Sequence, residues 1–544
     1  MSVGESSAPA ESFDYVVVGA GSSGAALAAR LSENSKYTVL LLEAGESDKN
    51  QAISIPAAFS QLFKSGYDWN YETVPQPGLG GRTVYWPRGK VLGGSSSMNA
   101  MMWVRGFAAD YDHWAELAGS SWNYDSLKPL FQKVERIMGS NDPDHGKAGA
   151  ISIEPQRDPR PHTAAFLKAV REAGYSVESA NRAQPEGFTQ TMVSQKSGVR
   201  SSTATAYLKP ARSRPNLEVR TGSQATRVLF EGRRAVGVEY RQAGAQRRAT
   251  ARSEVILAGG AVNTPQLLML SGIGDADQLR AQGLEVIVDS PEVGRGLRDH
   301  LTSLLVVATD GGTLLTATKL SQLGKYLLRR RGMLTSNVAE AYGFVRSDPA
   351  LPLPDVELLF APVAYVGEGL AGIPEHGLTL GPILLRPKSH GTITLASADP
   401  FDKPLIDPKY LSDEGGQDRA VMLAGLAMCE KILAAPSLKA QSTRRFIVPD
   451  GGSQLDEAAR DARALVEYSH TLYHPTSTAR MGTDSASVVD SELKVRGVEG
   501  LRVADASVFP EIIRGHTNAP SIIVGEKAAE LILSERAGRQ GSNR

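Results

Sequence analysis

The segment from Phe13 to Gly45, FDYVVVGAGSSGAALAARLSENSKYTVLLLEAG, constrains this chain more than any other. Tyr15–Val18 is a short apolar run ended by glycine, as in a strand buried on both faces. Gly19, Gly21 and Gly24 form G-x-G-x-x-G, Ala25–Leu31 reads as helix, and Thr38–Leu42 reads as a second strand closed by Glu43 and Ala44. The acid lies 24 residues after the first glycine, which completes a βαβ unit of the dinucleotide-binding kind. Gly19 permits the tight turn, Gly21 leaves room for a diphosphate, and Gly24 lets helix and strand pack closely. The unpaired N–H groups at the helix start, around Ser22 and Ser23, then face the anion. Glu43 would accept hydrogen bonds from ribose hydroxyls. An ordinary glycine-rich turn shares the three glycines but not the ordered strand, helix, strand and acid.

At 544 residues the chain exceeds one simple core, and two or three domains are expected. Hydrophobic content of 41% and charged content of 22% describe a soluble globular protein. Lys+Arg and Asp+Glu both number 59, and this balance argues against a general nucleic-acid or anionic-membrane surface. Cys429 is the sole cysteine, so no intrachain disulfide forms; a helix through Ala420–Leu433 would carry it on its apolar face. The cytoplasm is the expected compartment. Met1–Ser12 carries Glu5 and Glu11 and no Lys or Arg, unlike a signal peptide, and is expected to be a flexible tail, as is 536–544. No apolar run has the length of a membrane span. The histidines do not pair with cysteines at metal-ligand spacing, and no G-x-S-x-G elbow supports serine hydrolysis.

No regular βα series follows the first unit. A loop-rich stretch, Glu46–Gly94, precedes helical turns over Trp114–Val134, with Asp125 as the expected cap, and a helix at Ala164–Ala173. Leu217–Arg220, Arg227–Phe230, Ala235–Tyr240 and Ser253–Leu257 read as strands, with a turn at Glu231-Gly232. Pro265–Leu270 reads as a helix capped near Asn263 or Thr264, and Leu284–Val288 as a strand returning to the nucleotide-binding sheet. Leu301–Ser469 mixes strands (Leu304–Ala308, Val356–Phe360, Leu378–Leu385, Thr392–Ala396) with helices near Lys319–Arg330, Gln417–Leu433 and Asp456–Tyr468. Leu501–Ala504 and Pro520–Leu533 then read as strand and helix. The expected fold is α/β, with a Rossmann-type domain assembled from 13–155, 196–300 and 470–535 and an α+β substrate domain from 156–195 and 301–469.

Four further stretches carry a resemblance: PRGKVLGGSSSMNA (Pro87 to Ala100), AGGAVNTPQLLMLSGIG (Ala258 to Gly274), YHPTSTARMG (Tyr473 to Gly482) and RVADASVFPEIIRGHTNAPSIIVGEKAAELI (Arg502 to Ile532). With the βαβ unit they make the chain similar, over nearly its whole length, to the glucose–methanol–choline (GMC) family of flavin oxidoreductases, most of all to bacterial alcohol- and choline-dehydrogenase-like members. The resemblance implies FAD rather than NAD, which the βαβ unit alone does not distinguish. It implies that the run of small residues Gly93–Ser97 passes along the flavin ring, so that Arg88, Gly89, Val91, Gly94, Ser95, Asn99, Ala100 and Met102 join the cofactor site. A flexible linker is the alternative account of such a run, and its apolar surroundings speak against it. Some members attach FAD through a histidine in this loop; Met98 stands at that position here, so the FAD is expected to be non-covalent. The resemblance further implies that Ala225 meets the adenine, that Ala258 and Gly259 support or touch the flavin domain, and that Asp505 and Ala506 lie near the diphosphate and ribityl chain.

Oxidising an alcohol with a flavin removes a proton from oxygen and a hydride from carbon, so a base is needed beside the hydroxyl, and histidine suits the role. Of nine histidines, His113, His145, His162, His376 and His390 sit in polar, loop-like contexts, and His300 in GRGLRDH reads as structural. His474, followed by Pro475, matches the family's H-P-x-x-T-x-x-M-G, which implies the role of proton acceptor. Ser477 replaces a glycine common there. Asn518 matches the second active-site position and would orient the substrate oxygen, with His516 its rival. Pro520 suits the first helical position, so Asn518 and Ala519 would lie where the last helix points its positive end at the flavin. The reading is FAD-dependent oxidation of a small-molecule alcohol, with a primary one favoured, to the aldehyde. Oxygen, a quinone or another acceptor would reoxidise the flavin, and a dehydrogenase is favoured over an oxidase. A lyase or photodecarboxylase on the same fold is the alternative. The substrate pocket is expected from 301–469 and the loop 51–66, with Trp69, Met101, Met102, Trp103, Tyr342 and Phe344 as apolar walls. The oligomeric state is open.

Overall fold

The computed structural model describes residues 11–542. The expected tail positions 1–10 and 543–544 lie outside them. Glu11 and Ser12 are not tail but the first residues of a strand, in register with Ala249 and Thr250. At the other end, the helix Asn518–Ser542 absorbs positions 536–542, which the sequence suggests would fray.

The larger unit is built on a seven-stranded sheet. Leu217–Arg220, Val39–Leu42, Glu11–Val18 and Ala245–Leu257 lie side by side in parallel. The long fourth strand carries Leu501–Val503, also parallel, beside its C-terminal end, and the antiparallel strands Arg234–Gln242 and Ser223–Glu231 beside its N-terminal end. Tyr15, Val16 and Val17, with Val39, Leu40 and Leu41 on the neighbouring strand, have no exposed surface. Both faces of the sheet are covered there, which is why the runs are continuously apolar instead of alternating. The helix Ser22–Leu31 packs on the C-terminal helix Asn518–Ser542, and Gly24 lets its first turn close on the glycine turn and the strand end at Ala258: a Cβ on it would lie 1.9 Å from the Gly19 carbonyl oxygen.

The second unit centres on an eight-stranded antiparallel sheet in the order Phe446–Val448, Leu305–Ala308, Gly377–Leu384, Val356–Ala361, Ala341–Val345, Gly187–Gln190. Leu301–Thr302 pairs with both Gly377–Leu384 and His470–Thr471. His470–Thr471, which the sequence reading places in the nucleotide-binding unit, therefore belongs to this sheet. The helix Gln417–Ala434 covers it, and Gly425 lets it approach Pro382 so closely that a Cβ would meet the proline at 2.4 Å. Cys429 is buried on that helix.

Three local expectations differ. The helix Tyr124–Val134 is capped by Asn123, whose side chain accepts from the Ser126 N–H at 2.8 Å, because Asp125 already lies in the first turn. The helix Gly260–Leu270 starts earlier than predicted, so Asn263 and Thr264 are inside it, and Thr264 instead donates to Asp505. Leu284–Val288 does not return to the main sheet; only Val288–Asp289 is extended, and it pairs with Ile273–Gly274.

Candidate active site

The parallel strands end together at Val18, Leu42, Leu257 and Val503, and the loops that follow form one long cavity at their carboxyl ends. All the predicted cofactor residues line it except Gly24, Val91 and Ala519. Gly24 serves helix packing, Val91 packs in an apolar cluster with Phe59, Phe63 and Met98, and Ala519 is buried in the core.

The residues fit a dinucleotide. Gly19 has φ +100°, and a Cβ there would strike the Ala258 carbonyl oxygen at 2.4 Å. Gly21 is different: a Cβ on it would meet only the Cα of Gly94, at 3.9 Å. Among the described residues no protein atom fills that space, so the fold does not require this glycine and the gap is open to a ligand. Its partner Gly94 opposes it across the gap. The helix Ser22–Leu31 starts at Gly21 without a side-chain cap, leaving N–H donors and the positive end of the dipole facing the cavity. Glu43 is buried, and its two oxygens accept from the Ala20 and Gly45 N–H groups, each at 2.9 Å. Burial nevertheless pushes its carboxyl up to about 7. A second lone pair on each oxygen remains for ribose hydroxyls. Asp505 is committed otherwise. Its carboxylate accepts from the N–H and hydroxyl of Ser507, the Gly260 N–H and the Thr264 hydroxyl, at 2.6–2.8 Å, so it braces the loops around the cavity.

At the far end of the cavity stands His474. Its backbone is clamped: the His474 N–H donates to Asp299 at 2.8 Å, and the Arg88 guanidinium donates to the carbonyl of Tyr473 at 2.7 Å. Asp299 also accepts from Thr471 (2.6 Å) and from the Tyr410 hydroxyl. Tyr473 sits at φ +68°, a conformation a non-glycine residue holds only when its surroundings impose it. Arg88 and Asp299, 211 positions apart in sequence, therefore aim one ring.

That ring is the middle of a chain of three. His474 Nδ1 is 2.9 Å from His300 Nδ1, and the ring of His516 lies 4.8 Å from that of His474. His300 Nε2 faces the Leu385 carbonyl at 3.2 Å. A carbonyl only accepts, so this contact assigns the His300 proton to Nε2. Burial depresses His300 to about 3, keeping it neutral, and its Nδ1 is a bare lone pair. His474 Nδ1 must then donate to it, which leaves His474 Nε2 bare. Burial first, with His516, His300 and Arg88, also holds the His474 imidazole well below its ordinary range. The result is a neutral imidazole whose tautomer is set by its neighbour.

On the other side, His516 Nε2 donates to Glu357 Oε1 at 3.0 Å, leaving its second ring nitrogen free. Asn518 also lines the cavity, but its amide oxygen accepts from the Ser22 hydroxyl at 2.8 Å, joining the last helix to the diphosphate turn. The ring beside that of His474 is His516. Of the predicted apolar walls, Trp69, Met101 and Met102 line the cavity with Phe59, Phe63, Leu359 and Tyr365. Trp103, Tyr342 and Phe344 do not; they pack in the core. Sequence reasoning missed Glu357, whose signal was an acid inside the apolar strand V-E-L-L-F. It also missed Arg200, a buried guanidinium that donates to the carbonyls of Asn99 (2.7 Å) and Ile53 (2.8 Å) and so anchors the Gly93–Ala100 loop.

Comparison with known proteins gives one consistent result. The family described as GMC oxidoreductase matches residues 13–302 and, with its C-terminal part, 387–525. An uncharacterised GMC-type oxidoreductase of Mycobacterium tuberculosis is 56% identical over 525 residues, 96% of this chain and 99% of that one. The alcohol dehydrogenase [acceptor] of Pseudomonas putida is 43% identical over 534 residues, 96% of each. Among solved structures, pyridoxine 4-oxidase from Mesorbium loti superposes with a TM-score of 0.86 at 31% identity, over 95% of this chain and 98% of that one.

Proposed function

We propose, from the premise that the chain belongs to the GMC oxidoreductase family, that it is an FAD-dependent alcohol dehydrogenase in which His474 accepts the hydroxyl proton. The family makes it a flavoprotein oxidoreductase, and FAD is the dinucleotide for the cavity. When bound, FAD supplies the acceptor for the hydride that leaves the alcohol carbon. Gly21, Gly94 and the start of the helix Ser22–Leu31 would hold its diphosphate, and Glu43 its ribose. Met98, buried beside the cavity, presents a thioether that forms no covalent link to a flavin, so the cofactor would be released by acid precipitation.

The chain's own residues prepare the alcohol. The bare Nε2 of His474 takes the hydroxyl proton, and His300 keeps it bare by holding Nδ1–H. His516, fixed by Glu357, uses its free nitrogen to hold the substrate oxygen beside that base, in the role that the family resemblance implies for Asn518. Asn518 instead ties the last helix to Ser22. Phe59, Phe63, Met101 and Leu359 form a dry wall that suits an apolar primary alcohol and excludes water.

The single observation that carries this reading is the His300–His474–His516 row at the end of the dinucleotide cavity. The likeness to an acceptor-linked alcohol dehydrogenase supports a quinone or similar acceptor over oxygen. A screen of aliphatic and aromatic alcohols against a redox dye and against oxygen tests it: dye reduction much faster than oxygen consumption is expected, and peroxide formation at the dye-linked rate would make it an oxidase.

A further inference from the structure

We propose that the surface helix Leu320–Arg329 docks on an anionic phospholipid surface. Among the described residues, eight large hydrophobic side chains are exposed, and four of them stand on this one helix: Leu320 (86% exposed), Leu323 (37%), Leu327 (60%) and Leu328 (86%). Their spacing puts them along one side. Scattered exposed leucines are ordinary, but a contiguous face of them marks a contact surface. The helix gains almost nothing from the body of the protein in return, since Tyr326 is its only buried side chain.

Charge identifies what covers the face. Between Asp310 and Glu340 the chain has no acidic residue, yet it carries Lys319, Lys325, Arg329, Arg330 and Arg331. Arg331 is paired with Asp158 at 2.7 Å, and Arg330 lies over the Tyr326 ring. Lys319, Lys325 and Arg329 are exposed and make no ion pair among the described residues. Leucines on one side with free cations beside them are the pattern of a helix lying in the headgroup layer of an anionic bilayer. A second copy of the chain would bring the same cations face to face. Among the described residues no helix is long and apolar enough to cross a membrane, so the contact is peripheral. The chain's zero net charge, which by itself argues against such a surface, conceals this segregation.

The helix is also tied to the cavity. Gln322 accepts from the Met333 N–H at 3.2 Å, fixing the helix to the turn Met333–Thr335, and Asn337 and Val338, just beyond that turn, line the cavity. Docking would set the substrate side of the cavity against lipid, where apolar alcohols and quinones dissolve.

The test uses the purified FAD-loaded full chain, sedimented with phosphatidylcholine vesicles with and without phosphatidylglycerol. The wild type should bind the phosphatidylglycerol vesicles and release them at high salt, since each basic residue near such a surface contributes roughly fivefold to partitioning. L320Q/L327Q/L328Q should lower binding at least about tenfold, and K319E/K325E/R329E should abolish the preference for phosphatidylglycerol. Both variants should keep their FAD and their turnover of a water-soluble alcohol. Failure of the wild type to sediment with the charged vesicles, or equal binding by the leucine variant, would overturn the proposal. So would a wild-type dimer, seen by light scattering, that the leucine variant dissociates while neither binds vesicles; the face would then be a self-association surface.

Discussion

Replacing His300 by leucine should disable the base without touching substrate or cofactor. His300 Nδ1 is the atom that faces His474 Nδ1, at 2.9 Å. Leucine fills much of the space but accepts nothing, so the His474 Nδ1–H is left unpaired in a buried site. Leaving a buried donor unsatisfied costs about 1–3 kcal/mol. His474 escapes that cost by moving its proton to Nε2, the position that must be bare to act as a base. At about 1.4 kcal/mol per decade, the same penalty is a loss of roughly 5- to 160-fold in the proton-transfer step. The loss should appear in kcat for dye-linked oxidation of a primary alcohol, with KM changed little, because no substrate contact is removed. The control is His300→Asn. Its side-chain oxygen can occupy the acceptor position of Nδ1 and should restore most of the rate, which a mere packing role would not produce. A leucine variant with wild-type kcat and an unchanged pH profile would refute the reasoning, as would an asparagine variant as impaired as leucine.

Three other expectations follow from the same geometry. His516→Ala should lower kcat by about 100-fold or more, in the range of an acid–base or positioning group, whereas Asn518→Ala should chiefly weaken FAD retention by freeing Ser22; equal kinetic effects would reverse the assignment. Gly21→Val should give a chain with a near-normal melting temperature that takes up no FAD, because only Gly94 lies near the added carbon; a misfolded product would show that the fold itself needs the glycine. Asp461 is pushed up to about 7 by burial and by Glu430 and Glu457. A carboxyl raised in the folded state favours folding while protonated, so this contribution is lost as pH rises from about 4 to 7. Asp461→Asn should match the wild type in stability near pH 4 and exceed it at pH 8 by about 1–2 kcal/mol, after allowance for solvent screening; no gain at pH 8 would contradict the sign.

Much of the architecture is legible in local pattern. The run Tyr15–Val18, the spaced glycines and Glu43 describe a unit whose contacts lie within about 30 residues of sequence, and the strands of 217–257 announce themselves by turns and β-branched runs. The active site is less legible because its contacts are long-range. His300 reads as structural until the fold brings it 2.9 Å from a residue 174 positions later. Asn518 opens the last helix and His516 lies two residues before it, and spacing alone does not say which turns toward His474; the hydroxyl of Ser22, 496 positions away from Asn518, captures the amide. The acid at Glu357 stands out within an apolar strand, but no local pattern names its partner, 159 positions away. The cap at Asn123 instead of Asp125 is the usual ambiguity of helix ends.

The most direct measurement is reduction of the enzyme-bound flavin by an alcohol, followed without oxygen and in the dark. The account predicts that the yellow wild-type protein bleaches on mixing with a primary alcohol, and that His474→Ala binds FAD as well yet stays yellow. Bleaching of the alanine variant at the wild-type rate would contradict it, as would a wild-type protein loaded with FAD that no alcohol reduces.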